Sequence, residues 1–512
     1  MFTAAIESVF QLDVLVVIAM AAVYGIAIGA IPGLTATMAV ALMVPLTFYL
    51  DDVQAIAAIV TTVTCSIFAG DLPTTLVRIP GTPASAAYAD DAYALTRSGR
   101  HMDALHLCLW CSVLGGLFGV FILACAAPPL AQIATQFTSF EYFWLYLLGL
   151  SCAVIVSPGS RLKGILALLI GLLLSTVGLG TDFSAPRMTF GFDQLITGIR
   201  FIPAMIGLFG ISEVLRNALR PDGLNQPDGL NQSESEQSEP ASPLDQTDNL
   251  DQSLGGLLWN RKLPLFRSST IGATIGMLPG AGADIAAWIS YAVSKQFSRH
   301  PKQYGQGSTE GLADATGANN AALGGAWIPA LVFGIPGDSV TAIALGVLMM
   351  KNITPGPGIF DTDANPDQST LVASIYVTFV VANLMLIPIG LAAIRAASVL
   401  IKIPRRILLP LIVMFCIIGA YSMTGSYFDI SLMLAMGLLG FMLETWKVPL
   451  GPIVLGLILG GQLEHRFLQS LTVSSDLSAF FANPISITLG GLCILLWGWP
   501  LIKRLKRKQT VA

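Results

Sequence analysis

The chain reads as an all-α polytopic membrane protein made of two repeated halves with broken, partly re-entrant helices. Three observations predict this. Of the 512 residues, 54% are hydrophobic and only 11% charged, with a mean hydropathy of +0.71, whereas a soluble chain carries about a quarter charged residues. Apolar runs of about 20 residues, long enough to cross a bilayer as a helix, recur along the whole sequence. Pro-Gly breaks interrupt those runs at matching places in the two halves. A transmembrane barrel would alternate polar and apolar residues in segments of about 10, and that pattern is missing.

The N-terminal stretch MFTAAIESVFQLDVLVVIAM has neither the basic start nor the cleavage site of a signal peptide, so it is expected to be retained. Apolar segments follow near 11–31, 36–50, 53–70, 104–127, 141–157, 162–180 and 195–215. A second set lies near 268–293, 318–334, 339–350, 370–396, 407–422, 429–443, 449–461 and 484–502. Their lengths imply roughly 12 full or partial spans. Several are too short for a full crossing, and these cluster around the Pro-Gly sites. Between the two sets, residues 217–253 turn acidic and polar and contain the six residues PDGLNQ twice in succession. Low hydrophobicity and net acidity make this stretch a flexible linker. It separates a first transmembrane repeat, 1–216, from a second, 254–512, and the two are expected to be inverted. The basic KRLKRK at 503–508 places the C-terminus in the cytoplasm, with TRSGRH at 96–101 and KQFSRHPK at 295–302 as further cytoplasmic candidates.

The net charge of −4 says little about partners, because most charges sit in loops; with no basic nucleic-acid patch, no nucleic-acid partner is expected, and membrane lipid is the surroundings. Cys108 and Cys111 have C-x-x-C spacing but sit in the apolar LCLWC, and most of the seven cysteines lie in such segments, where small buried residues are the default. His101, His106, His300 and His465 form no metal spacing. No metal, no organic cofactor and no catalytic pair is expected.

The internal repeat rests on two motifs in the same order. GAIPGLTATMAV at 29–40 aligns with GMLPGAGADIAA at 276–287, placing Pro32 and Gly33 on Pro279 and Gly280. RIPGTPASAA at 78–87 aligns with GIPGDSVTAI at 334–343, placing Pro80 and Gly81 on Pro336 and Gly337, and Ser85 on Thr341. Proline removes a backbone donor and stops a helix; glycine permits the turn. Backbone freed in this way is tolerated at membrane depth only inside protein or along a polar cavity. Breaks at corresponding places in two repeats point to a transporter binding site. The half-helix after each break offers N–H groups and a positive dipole end, which suits a carboxylate. Thr35, Thr37, Thr82 and Ser85 add hydroxyls, Gly282 adds open backbone, and Asn319 and Asn320 add donors and acceptors within an apolar run. The ordinary alternative is helix kinking, close packing and interhelical hydrogen bonding.

The alignment also sets Asp284 on Thr37 and Asp338 on Thr82. An intramembrane carboxylate costs about 2.5–3.5 kcal/mol at a helix centre and is a functional candidate by default. Asp284 and Asp338 are therefore expected to bind a coupling ion, Na+ or H+, although Asp338 also suits a helix cap. Asp71, in FAGDLPTTL, is expected to be either a third buried acid, and then a further candidate for ion coupling, or the cap of a helix opening at Leu72. Asp90 and Asp91, with Arg97 and Arg100, are expected in a solvated loop. Segment-end Glu444, Glu464 and Arg466 suit salt bridges or snorkelling.

At these residues the chain resembles the large membrane subunit of tripartite tricarboxylate transporters. GAIPGLTATMAVALMVPLTF, IPGTPASAAYADDAYALTRSGR, FIPAMIGLFGISEVL, the stretch from GMLPGAGADIAA to FGIPGDSVTA, and PGPGIF carry the likeness, which covers nearly all of the chain outside the linker. The resemblance implies a bacterial inner-membrane importer of carboxylates, tricarboxylate or dicarboxylate, driven by an ion gradient. It implies two partners, a small membrane subunit and a periplasmic solute-binding protein. The family's glycine-proline stretches map onto Gly29, Pro32, Gly33, Pro80, Gly81, Pro279, Gly280, Asn319, Asn320, Pro336 and Gly337. The chain departs from the family pattern at Asp71, where relatives have a Gly-Gly-Ser-Ile-like stretch, and at Asp284 and Asp338, where relatives have small or hydroxyl residues. It also reads ADATGANN where relatives often carry an acid just before the paired asparagines, and Asp314 stands in that place. The alternatives to this importer are a transporter of another small solute and a channel or scaffold without coupled transport.

Overall fold

The computed structural model describes residues 2–31, 34–157, 160–180, 185–219, 261–280, 282–400, 405–422 and 425–509. Apart from Asn217–Leu219, the expected linker lies outside them, as do Pro32 and Gly33. Among the described residues the fold is all-α apart from one two-residue antiparallel pair, Gly178–Leu179 with Pro186–Arg187. Six described helical segments are long and apolar enough to cross a membrane, and five shorter apolar helices accompany them.

The first half opens with α1 (Phe2–Val9), α2 (Leu12–Gly29) and, past the first break, α3 (Ala36–Thr47). Next come α4 (Asp52–Ala69) and α5 (Asp71–Val77), then the second break and α6 (Ala89–Arg97). The long α7 (His101–Ala134), α8 (Ser139–Val156), α9 (Arg161–Ser175), α10 (Phe201–Met205) and α11 (Ser212–Leu219) complete it, with a π-helical turn at Ile206–Ile211 joining α10 to α11. The second half runs α12 (Lys262–Gly276), first break, α13 (Gly282–Phe297), α14 (Thr309–Phe333), second break and α15 (Ser339–Met350). It continues with the long α16 (Pro366–Leu400), then α17 (Arg405–Ser422), α18 (Tyr427–Thr445), α19 (Leu450–Val473) and α20 (Pro484–Gln509).

Helix α2 shows why these segments belong in lipid. Leu12, Val16, Met20 and Val23 form one exposed apolar stripe, while Val14, Ile18, Ala21 and Ala22 are buried on the opposite side. An apolar face of that extent would have to be covered in water.

The repeat has a packing basis. A Cβ on Gly25 would lie 2.6 Å from the Thr62 carbonyl oxygen, and one on Gly29 would lie 2.6 Å from that of Ser66. Gly272 and Gly276 press on the Ala318 and Ala322 carbonyls in the same way. Thus α2 crosses α4 as α12 crosses α14, each pair meeting through two glycines one helical turn apart. The second breaks match too. A Cβ on Gly81 would lie 2.5 Å from the Gly70 carbonyl oxygen, and one on Gly337 would lie 2.7 Å from the Ala326 Cα. Thr62, Ser66, Gly70 and Gly81 map onto Ala318, Ala322, Ala326 and Gly337 by one constant shift. The halves also interlock, since α14 packs along α7 and α16 packs along α4.

Candidate functional site

Each second break closes with the same reciprocal cap. In the second half, the Thr341 N–H donates to Asp338 Oδ1 at 2.8 Å and the Asp338 N–H donates to Thr341 Oγ1 at 2.9 Å. In the first half, the Ser85 N–H donates to Thr82 Oγ1 and the Thr82 N–H donates to Ser85 Oγ, both at 3.2 Å. This is a capping box, which satisfies two otherwise orphaned donors. It explains why Ser85 aligns with Thr341 and Thr82 with Asp338. The hydroxyls of Thr82 and Ser85 are buried in this arrangement, and Thr74 Oγ1 donates to Ser85 Oγ at 2.9 Å. Thr35 caps α3 by accepting from the Met38 N–H at 3.3 Å.

Other break residues face one another across the halves. Thr37 Oγ1 shares a 2.9 Å hydrogen bond with Ser339 Oγ, joining the first break of the first half to the second break of the second. The reverse pairing is also made. Asp284 Oδ1 accepts from the Ala84 N–H at 3.2 Å, and Trp288 Nε1 donates to the Pro83 carbonyl at 3.3 Å. Under the repeat, Thr37 and Ser339 correspond to Asp284 and Pro83. One cross-contact is therefore the image of the other. Within the second half, the Gly280 N–H donates to the Gly337 carbonyl at 2.8 Å, and a Cβ on Gly282 would lie 3.0 Å from the Asp338 Cβ. Gly280 and Gly282 hold φ of +79° and +61°, a conformation that favours glycine.

The polar groups at this crossing are accessible. Asp284 is exposed, and Thr37, Asp338 and Ser339 are part-exposed. Asp284 stands in the opening turn of α13, with its Oδ1 held by the Ala84 N–H. The N-termini of α3, α13 and α15 thus come together around two hydroxyls, Thr37 and Ser339, and two carboxylates, Asp284 and Asp338. Converging N-termini favour an anion. Two adjacent acids oppose one unless a cation or proton accompanies it.

The remaining predicted residues fall elsewhere. Pro80 is exposed beside the crossing and Pro336 is buried beneath it. Asn319 and Asn320 are buried in α14. Asn319 lies two turns before Ala326 on the face that meets Gly337. Both amide atoms of Asn320 are buried without a hydrogen-bond partner among the described residues. Asp71 is buried away from this crossing. Helix α5 begins at Asp71, Gly70 before it is already in the helical region, and the Asp71 side chain makes no capping bond.

The solvated-loop expectation fails for Asp91. Asp90 is exposed and pairs with Arg78 at 2.7 Å, but Asp91 is fully buried. Its Oδ1 accepts from the N–H groups of Gly305, Gly307 and Ser308 at 2.7, 2.9 and 2.8 Å, and Tyr291 Oη donates to its Oδ2 at 2.6 Å. It pins α6 of the first half to the loop before α14 of the second. Asp314 likewise is held by Arg267 at 2.9 Å. Ser339, the Ala84 N–H and Trp288 were not legible as site residues, because their role depends on which breaks meet.

A family model described as the tripartite tricarboxylate transporter TctA family matches residues 15–455. The chain belongs to this family. An uncharacterized 52.8 kDa protein of the TAR-I ttuC' 3' region of Agrobacterium vitis is 32% identical over 493 residues, covering 95% of this chain and 93% of that protein. A second uncharacterized protein, from the TAR-II ttuC' 3' region of the same organism, is 36% identical over 243 residues, covering 47% of this chain and 98% of its own length. No solved structure matches the chain. Membership makes the chain a membrane transport subunit of a tripartite system. The crossed Pro-Gly breaks put exposed polar chemistry at helix ends in that subunit.

Proposed function

We propose that this chain is the large membrane subunit of a binding-protein-dependent importer that carries a carboxylate across the bacterial inner membrane, driven by an ion gradient. The crossed pairing of the breaks, Thr37 with Ser339 and Asp284 with Ala84, is the observation that carries this reading. It gives the two repeats a shared site at helix ends, where one half can rock against the other. The substrate carboxylate lies against the N-termini of α3 and α15, with Thr37 and Ser339 as hydrogen-bond donors. Asp284 and Asp338 hold the accompanying cation, Na+ or H+, which offsets their repulsion of the anion. A periplasmic solute-binding protein delivers the substrate, and a small membrane subunit completes the complex.

The test is uptake of labelled mono-, di- and tricarboxylates into cells expressing the chain with its two partners, with and without the binding protein. Uptake of at least one carboxylate that needs the binding protein and collapses with the ion gradient is expected. No uptake of any of them by an assembled complex would move the chain to another substrate class or out of transport.

A further inference from the structure

Asp71 takes no part in the crossing of the breaks. Glu141 is likewise 1% exposed without a cationic partner, but Thr138, Asn483 and Ser486 fill both of its oxygens. Asp91 accepts three backbone N–H groups, and Asp314 and Asp429 pair with Arg267 and Arg200. Asp71 has no Lys, Arg or His partner among the described residues and is 1% exposed. Tyr88 Oη donates to Asp71 Oδ1 at 2.5 Å, and the Cys108 thiol is within hydrogen-bonding reach. Thr316 of α14 in turn faces Cys108 at 3.9 Å. The titratable groups around it are thus Tyr88 before α6 and Cys108 and Cys111 of α7. No ionisable side chain of α4 or α14 reaches it, and His106 points off another side of α7 from Cys108.

A carboxylate deep in a membrane span without a cation is costly, and it is relieved by taking up a proton. One turn along α5, on the same face, Thr75 Oγ1 is buried without a partner among the described residues. An orphaned hydroxyl between a lone buried acid and the helix end is where a relay water would sit.

The site also touches the second break of the first half. Tyr88 ends the segment that begins at Pro80, is closed by Thr82 and Ser85, and gives the Ala84 N–H to Asp284. In the second half, the position equivalent to Asp71 is Trp327. The repeat therefore does not require an acid there.

We propose that Asp71, with Tyr88, Cys108 and Thr75, is a proton-binding site separate from the crossing of the breaks, whose loading and release are coupled through the 80–88 segment to transport. This rests on the importer reading above. The experiment uses proteoliposomes holding the chain with its small membrane subunit, supplied with the binding protein and the labelled carboxylate that the wild type transports. Accumulation driven by a pH gradient and counterflow exchange at equal pH are measured side by side.

The proposal expects Asp71→Asn to keep counterflow within about twofold and to lose pH-driven accumulation by tenfold or more. Tyr88→Phe, which removes the donor that favours the charged acid, is expected to move the pH of half-maximal accumulation upward by about one unit. Full pH-driven accumulation by Asp71→Asn would overturn the proposal, as would an indifference of wild-type accumulation to the pH gradient. So would loss of counterflow in a well-folded Asp71→Asn protein, which would make the acid structural. If Asp71→Asn does not assemble, an unchanged pH profile in Tyr88→Phe overturns it. Failure of wild-type counterflow with every carboxylate sinks the importer reading instead.

Discussion

In the first half the residue after the second Pro-Gly is Thr82; in the second half it is Asp338. Both accept the N–H three residues on, from Ser85 or Thr341, and both donate their own N–H back to that residue's hydroxyl. At the first break, Thr37 and Asp284 occupy equivalent places and both reach across to the other half. The backbone solution is therefore the same twice, while the charge is not. Packing constrains the glycines and caps in both halves alike. It leaves free whether the polar atom at that place is a hydroxyl or a carboxylate. Both carboxylates at the crossing, Asp284 and Asp338, come from the second half, while its two hydroxyls, Thr37 and Ser339, come one from each half.

The largest expected effect tests the shared packing. Gly81→Leu and Gly337→Leu would each drive a side chain into backbone, of Gly70 and Ala326 respectively. Overpacking by even small groups costs about 1–3 kcal/mol, and backbone can yield less than side chains. Both variants should lose most of their monodisperse protein in detergent, to similar extents. Tolerance in one half and collapse in the other would show that the two breaks are not packed alike.

A middle-sized effect separates charge from hydroxyl. Asp284→Asn should raise the carboxylate KM or the coupling-ion requirement by about tenfold, equivalent to about 1.4 kcal/mol. Thr37→Ala, which removes one neutral hydrogen bond, should shift KM by only a few-fold. Equal, small effects from both would remove Asp284 from ion coupling.

The smallest effect concerns the cap. Asp338→Ala should cost about 1 kcal/mol of stability, seen as a lower melting temperature of the purified protein. Asp338→Thr, which copies the first half, should restore most of it. If Asp338→Thr is as stable as the wild type and transports normally, Asp338 is a cap alone and its charge is unused.

Much of this was legible in the sequence because the repeat multiplies weak signals. Pro32-Gly33 alone is a kink; the recurrence at Pro279-Gly280, with Pro80-Gly81 and Pro336-Gly337 following in order, marks four equivalent breaks. The sequence offered Asp338 as a cap but read Thr82 and Ser85 as hydroxyls of the substrate site, whereas the structure buries both in a reciprocal cap like that of Asp338 and Thr341. What stayed hidden depends on long-range contacts. Nothing near Ser339 or Ala84 says that they meet residues roughly 200 to 300 positions away. Asp91 misled for the same reason. It lies beside Asp90 in a polar stretch, but its acceptors are filled by Gly305, Gly307 and Ser308 of the other half.

The most direct measurement of the crossed pairing is a disulfide between its two sides. Thr37 and Ser339 place their hydroxyl oxygens 2.9 Å apart. A protein carrying Thr37→Cys and Ser339→Cys, with a protease site inserted in the 217–253 linker, would be oxidised in membranes, cleaved and run on a denaturing gel. The account predicts that the two halves stay joined, that uptake stops until the bond is reduced, that substrate slows the joining, and that either single variant separates normally. Halves that separate after oxidation, or joined halves that still transport at the wild-type rate, would contradict a site formed where the breaks cross.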